Sequence, residues 1–271
     1  MINDLISKNE ASRAKIRSIE FDFGIDRQTG GHFIYDGANR ANTYHSSMFK
    51  DARCVINDRY IALWERSEYV RIYLRASGKP PSEMTTDLIN VMAGHDPLLW
   101  GFGLGFGELR GAIYFDQLTY RVEEVRNEKN ERIVRVKWVA MSPIGPAREI
   151  DRAIYEFNAD RGFLLTHTAG FTEIGDLQQT TDVTAEQIDG VWMPVHVTSV
   201  QFKSKVGKAP QQPLKTTERE FINIHVNKRI DPAKFEIESM GIPAGTFIEK
   251  TDLAGKITTL SMPTTRPVDL D

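Results

Sequence analysis

The stretch that decides the fold is Ser18–Asp26, SIEFDFGID. Ile19, Phe21, Phe23 and Ile25 alternate with Glu20, Asp22, Gly24 and Asp26, the period of two that marks a strand apolar on one face and wet on the other. Just before it, residues 2 to 16 place Ile2, Leu5, Ile6 and Ile16 at roughly helical spacing, with Ala11 and Ala14 between them. The period therefore changes from helix to strand at about residue 18, and RQTGG ends the strand in a turn.

Most of the chain downstream repeats this alternation. Tyr60, Ala62 and Trp64 share a face in YIALWER, and SEYVRIYL follows as a strand. Three hairpins are predicted, turning at Asn127–Glu131, at Asn158–Gly162 and at Asp189–Gly190. On the second arm of the first hairpin, Val134, Val136, Trp138 and Ala140 share a face. TTEREFINIHV adds another strand, which brings the total to nine or ten. Connections this short favour antiparallel neighbours. Helical signal is confined to the N-terminus and residues 82 to 118, with Ser82 as a cap. A sheet with an apolar face must cover it with something, and so few helices are a thin cover. The expectation is a mainly β (α+β) fold, one domain over residues 1–271, whose large curved antiparallel sheet wraps around a few short helices and encloses apolar space.

Composition excludes several function classes. Thirty-four basic and 37 acidic residues leave a formal net charge of −3, which gives no footprint for nucleic acid. No apolar run is long enough to span a membrane as a helix. The N-terminal segment lacks the apolar core of a secretory signal, so the sequence fits either a cytoplasmic protein or an exported one written without its leader. Cys54 is the only cysteine, so no internal disulfide forms.

The run GHDPLLWGFGLGFGELRG, residues 94 to 111, invites a phosphate-loop reading. Its glycine spacing matches neither the dinucleotide fingerprint nor a Walker loop, and Glu108 sits where a phosphate would bind. Trp100, Phe102, Leu104 and Phe106 between the glycines belong with an apolar interior, as packing or as a lid over a cavity. The six histidines form no metal-ligand spacing. His167 shares a predicted strand face with Phe163, Leu165 and Phe171, as a core histidine would, and His196 and His225 lie on neighbouring predicted strands. The pairs Glu20/Asp22 and Glu218/Glu220 read as solvated outer faces, and Glu123/Glu124 point to opposite faces. Neither Ser46-Ser47 nor Cys54 has a nucleophile context, so no catalytic residue is assigned, and no cofactor or metal.

Three segments carry a family resemblance: YEFNADRGFLLTHTAGF, IDGVWMPVHVTSV and NIHVNKRIDPAKFEIESMGIPAGTFIEK. Asp160–Leu164, Asp189–Pro194 and Asn227–Phe235 follow one another in the order and spacing of motifs in the outer-membrane lipoprotein carrier (LolA-like) superfamily, and DPLLWGF resembles a fourth. The chain most resembles the planctomycete-type envelope proteins of that superfamily. The resemblance implies an unclosed antiparallel β-barrel over helices, a periplasmic or cell-envelope location, and an apolar concave cavity. It implies a non-enzymatic protein whose partner is a hydrophobic small molecule such as a lipid or a lipoprotein acyl chain. The side chains expected to line the cavity are Phe21, Phe23, Trp64, Trp100, Phe102, Leu104, Phe106 and Trp138. The alternative is a structural or signal-sensing module whose barrel is filled by its own side chains and which binds an envelope protein.

Overall fold

The computed structural model describes residues 2–25, 29–45, 52–65, 69–74, 119–141, 149–203, 211–252 and 254–261. Among these, fifteen strands, one α-helix and three short 3-10 turns are formed. The fold is mainly β, and its sheet is left open at both ends rather than closed into a barrel. Alternating short segments had given only nine or ten strands. The undercount comes from hairpins such as Thr29–Tyr35 with Arg40–His45, whose glycine, asparagine and histidine content hides the alternation.

The chain divides into two compact units, Met1–Lys15 with Asp96–Phe221, and Ile16–His95 with Ile222–Asp271. In the second unit the strands are β1 (Ile19–Ile25), β2 (Thr29–Tyr35), β3 (Arg40–His45), β4 (Ala52–Ile56), β5 (Tyr60–Glu65) and β6 (Tyr69–Leu74). These six form an antiparallel meander in chain order. In the first unit β7 (Thr119–Arg126), β8 (Arg132–Met141), β9 (Glu149–Asn158), β10 (Leu164–Phe171), β11 (Leu177–Ile188) and β12 (Val191–Phe202) form a second meander. It continues into β13 (Pro213–Val226), whose residues pass from the first unit to the second at Phe221. β14 (Phe247–Thr251) pairs parallel to β6 and antiparallel to β15 (Ile257–Ser261), an exception to antiparallel neighbours.

The three predicted turns form where the sequence places them. Asp189 and Gly190 both have positive φ, 49° and 80°, which is what a tight two-residue hairpin between β11 and β12 demands. Asn158 caps the turn after β9 by accepting from the Asp160 and Arg161 amides, and Gly162 closes it in the left-handed region at φ 71°. A β-carbon on Gly162 would crowd the Ser12 hydroxyl of the N-terminal helix, so this glycine serves both turn and packing.

Helix α1 (Ile2–Arg13) carries Asp4 in its first turn and Arg13 in its last, charges that suit its dipole. It buries a narrow stripe of Leu5, Ile6 and Asn9 against the first unit's sheet. Leu5 and Ile6 pack with Val134, Val136, Trp138, Tyr155, Phe157 and Leu165, and the Asn9 amide donates to the Phe163 carbonyl at 2.7 Å. The face built from Val134, Val136 and Trp138 is therefore the covered one, as the alternation in β8 implies.

The second unit covers one sheet face differently. The segment Pro232–Met240, two consecutive 3-10 turns, lays Phe235, Ile237 and Met240 over Ile34, Val55, Tyr60, Ala62 and Ile72. Asn57 pins this segment to the β4–β5 turn. Its amide donates to the Phe235 carbonyl at 3.0 Å, and its side-chain oxygen accepts from the Arg59 and Tyr60 amides. The Tyr60 hydroxyl accepts from the Ile237 amide and donates to Glu236. Burial, with that bond to Glu236, pushes the phenol up to about 12. Burial likewise pushes the Cys54 thiol up to about 12, so it behaves as a small apolar side chain.

Candidate functional site

Strand register sorts the candidate side chains by face, because directly paired residues point the same way. Phe21 pairs with Phe33, and the row continues through Asn42, Cys54 and Leu63. Phe23 pairs with Gly31, which pairs with Tyr44 on the same face. The rings of Phe21 and Phe33 stack at 4.9 Å, Phe23 lies 6.3 Å from Phe21, and Phe23 stacks on Tyr44 at 6.4 Å. Gly31 makes this possible, since a β-carbon there would strike both the Phe23 ring and the Thr43 carbonyl oxygen. This aromatic face is the one opposite the Phe235–Met240 cover, and Cys54, Ile61 and Leu63 extend it as a small apolar cluster with Tyr44 and Tyr73 beside it.

Trp64 is on the other face. It pairs with Arg53 and Val70, packs beside the Phe235 cluster, and carries the Arg53 guanidinium 5.2 Å above its ring. Arg53 in turn donates to the Met240 carbonyl. Trp138 stands in the first unit's core, tilted against Tyr155 at 5.7 Å under α1. The structure thus brings Phe21 and Phe23 together and separates them from Trp64 by the thickness of the sheet. Trp100, Phe102, Leu104 and Phe106 lie outside the described residues, as does the helical signal over residues 82 to 118.

Two polar clusters escaped the sequence reading. Glu20 and Asp22 are not simply solvated. They bracket the His32 ring, whose Nδ1 lies 2.6 Å from Asp22 and whose Nε2 lies 3.1 Å from Glu20. Lys234 donates to both Glu20 oxygens at 2.6 and 2.9 Å, and Asn223 donates to Asp22 at 2.8 Å. Burial acts to raise the Glu20 carboxyl, but the Lys234 hydrogen bond and the charges of Lys234 and His32 prevail and hold it below the ordinary range. Asp22 is also lowered: burial opposes, while the Asn223 and His32 hydrogen bonds and the charges of His32 and His225 win. The E-x-D spacing was visible in the chain, but its partners lie on β2, β13 and the Pro232 turn.

The second cluster is a row across the first unit's sheet, on the face away from α1. Glu123, Arg135, Glu156, His167 and Asp182 are successive cross-strand partners on β7 to β11. Arg135 donates to Glu156 at 2.7 Å and to Glu123 at 3.1 Å, and Lys137 also reaches Glu123 at 3.0 Å. His167 Nδ1 lies 2.7 Å from Asp182, and that hydrogen bond outweighs burial to raise the imidazole above its ordinary value. Here the structure departs from the sequence reading, which put His167 with Leu165. An extra residue in β10, Thr166, breaks the register, so Leu165 pairs with Phe157 in the core while His167 pairs with Glu156 outside.

Beside this row opens a cleft of about 370 Å³, walled by the Asn127–Glu131 turn and by Glu156, Arg161, His167, Asp182 and Thr184. Arg161 grips Glu131 at 2.6 and 2.9 Å and stacks 4.7 Å over Trp192. Burial would raise the Glu131 carboxyl, but hydrogen bonds from Asn127 and Arg161, with the Arg161 charge, keep it low. The cleft is lined by the charged Glu131, Glu156, Arg161 and Asp182 and by His167, with Ile133 and Val183 as its apolar residues and no phenyl or indole ring. His196 pairs with Glu220 on β13, and His225 lies five residues further along that strand. Among the described residues no group of three histidine, cysteine or carboxylate side chains is placed to hold a metal ion.

No protein-family model matches this sequence, and no curated protein matches it either. Solved structures do match. One is a DUF1329 family protein from Desulfovibrio piger, 12% identical, with a TM-score of 0.43 over 88% of this chain and 96% of that one. A LolA superfamily protein from Nitrosomonas europaea is 9% identical, with a TM-score of 0.42 over 88% and 98%. The Mycobacterium tuberculosis lipoprotein LppX is 6% identical, with a TM-score of 0.30 over 85% and 99%.

Proposed function

We propose that this chain is a LolA-like, non-enzymatic protein of the cell envelope, a single functional domain that binds a lipid or acyl chain. The ligand lies against the aromatic face carrying Phe21, Phe23, Phe33 and Tyr44. The single observation behind this reading is that the second unit's sheet carries an apolar cluster on each of its faces. One face is closed by Phe235, Ile237 and Met240, and the opposite one carries the stacked rings of Phe21 and Phe33 with Phe23 beside Gly31, all three rings buried. Such a face favours a partner that is long, flexible and apolar. Each methylene removed from water contributes about 0.8 kcal/mol, so ~10 of them set about 8 kcal/mol against the costs of association, and tighter binding needs a longer chain.

A second reading is favoured by the complete burial of Phe21 and the near-complete burial of Phe33. Here the face is filled by the protein's own side chains, and an edge strand or loop meets an envelope protein instead. Titration with a fluorescent fatty acid, together with lipid extraction of the purified protein, separates the two. The lipid reading predicts saturable probe binding, displaced by unlabelled fatty acid and weakened in Phe23→Ala. A protein free of extractable lipid that ignores the probe supports the second reading.

A further inference from the structure

We propose that β7 is a self-pairing edge through which two copies of this chain join their sheets antiparallel about Val122. Among the described residues β7 pairs with β8 alone and ends the strand order. It is also the most exposed strand of the first unit's meander, with Thr119, Tyr120 and Arg121 all open to solvent.

The hydrogen-bond phase of the hairpin fixes which backbone groups face outward. The Asn127 amide donates to the Glu131 carbonyl, continuing the register in which Arg126 lies opposite Arg132. In an antiparallel pair, hydrogen-bonded and non-bonded residue pairs alternate. Val125, Glu123, Arg121 and Thr119 therefore bond to β8, and the amides and carbonyls of Tyr120, Val122, Glu124 and Arg126 point away from it. The Arg132 amide confirms the phase from the far side, since it turns from β7 to donate to Asp160 at 2.8 Å.

An added antiparallel strand must match outward residues with outward residues, which leaves few registers for a second copy. Centring on Glu124 sets Glu124 against itself, centring on Glu123 does the same to Glu123, and centring on Arg121 opposes two arginines. Centring on Tyr120 or Val125 pairs only three residues of the strand, so centring on Val122 is the long register without a like-charge clash. It sets Val122 against Val122 of the second copy and Tyr120 against Glu124, and it places Arg121 opposite Glu123 twice. Both side chains of that last pair are on the charged face, Arg121 62% and Glu123 43% exposed, and they reach across beside their partners within the chain, Glu149 for Arg121 and Arg135 and Lys137 for Glu123. Val122 packs at the margin of the α1 core, so the join extends an apolar strip as well. The interface is a strand edge of modest area, so association is weak and concentration-dependent.

Sedimentation velocity across a concentration series up to ~100 μM tests this, with circular dichroism and thermal melting to monitor folding. The wild-type chain is expected to shift reversibly from monomer to dimer. Glu123→Arg opposes two arginines and weakens self-association by about tenfold or more, whereas the swap Arg121→Glu with Glu123→Arg restores it. Val122→Pro removes an outward amide that β8 does not use, and should give a folded monomer. A wild-type chain that stays monomeric throughout overturns the proposal. So does a folded double swap that fails to regain dimer, or a dimer untouched by both Val122→Pro and Glu123→Arg.

Discussion

The two units solve the same problem, an apolar sheet in water, in opposite ways. In the first, β8 and β9 divide their middle residues by face, with Ile133 and Val139 buried at the two ends of the charged row on β8. Val134, Val136, Tyr155 and Phe157 lie under α1, and Arg135, Lys137 and Glu156 form an ion-paired row on the other side. In the second, an apolar cluster lies on each face, one under the Pro232–Met240 turns with the Glu20–His32–Lys234 ion cluster on the same side, the other aromatic. The first sheet is complete with one helix. The second buries apolar side chains on both of its faces, Phe21, Phe33 and Leu63 on one and Val55, Ile72 and Phe235 on the other.

The largest effects should come from the cores. Phe157→Ala, in the first unit, should lower stability by about 3–5 kcal/mol in denaturant unfolding, because a ring buried against α1 leaves a cavity. The same measurement on Phe21→Ala sharpens the contrast: a comparable loss for the ligand-free protein, accompanied by loss of the stabilisation that added fatty acid brings. Next, Gly31→Ala should cost about 1–3 kcal/mol or more, because its methyl meets the Thr43 carbonyl oxygen first and the Phe23 ring second, and should weaken fatty-acid binding as Phe23 shifts. Asn57→Ala should cost about 1–3 kcal/mol, because the buried Phe235 carbonyl loses its donor.

The smallest effects are electrostatic and run in opposite directions in the two units. Glu20 and Asp22 are lowered in the folded state, so their contribution is present above the unfolded values of 4.5 and 3.8 and is lost as pH falls through the lower folded ones. His167 is raised, so its contribution is complete below 6.5 and is lost as pH rises through the higher folded value. The melting-temperature gap between wild type and His167→Gln should therefore shrink from about pH 6 to about pH 9. The gap for Lys234→Met should shrink instead in acid, as Glu20 takes up a proton. Gaps that change together would show that the clusters do not act separately.

Local grammar carried much of this architecture. The alternation in β1 and β8 and the turn residues Asn158, Asp189 and Gly190 each act within a few positions, so they were legible directly. What the chain hid was register. One extra residue, Thr166, moved His167 from the core face to the charged one, and no pattern in β10 announces it. Trp64 alternates correctly with Tyr60 and Ala62, yet its side of the sheet relative to Phe21 depends on four successive pairings. Lys234 meets Glu20 across 214 positions, and β14 slots parallel to β6, contacts set by tertiary closure alone.

The most direct test of the central claim is native mass spectrometry of the protein with a homologous series of saturated fatty acids. An apolar face predicts retained one-to-one complexes whose affinity rises about fourfold per added methylene until the face is filled, and falls across the series in Phe23→Ala. Affinity independent of chain length, or no complex with any member, would contradict it.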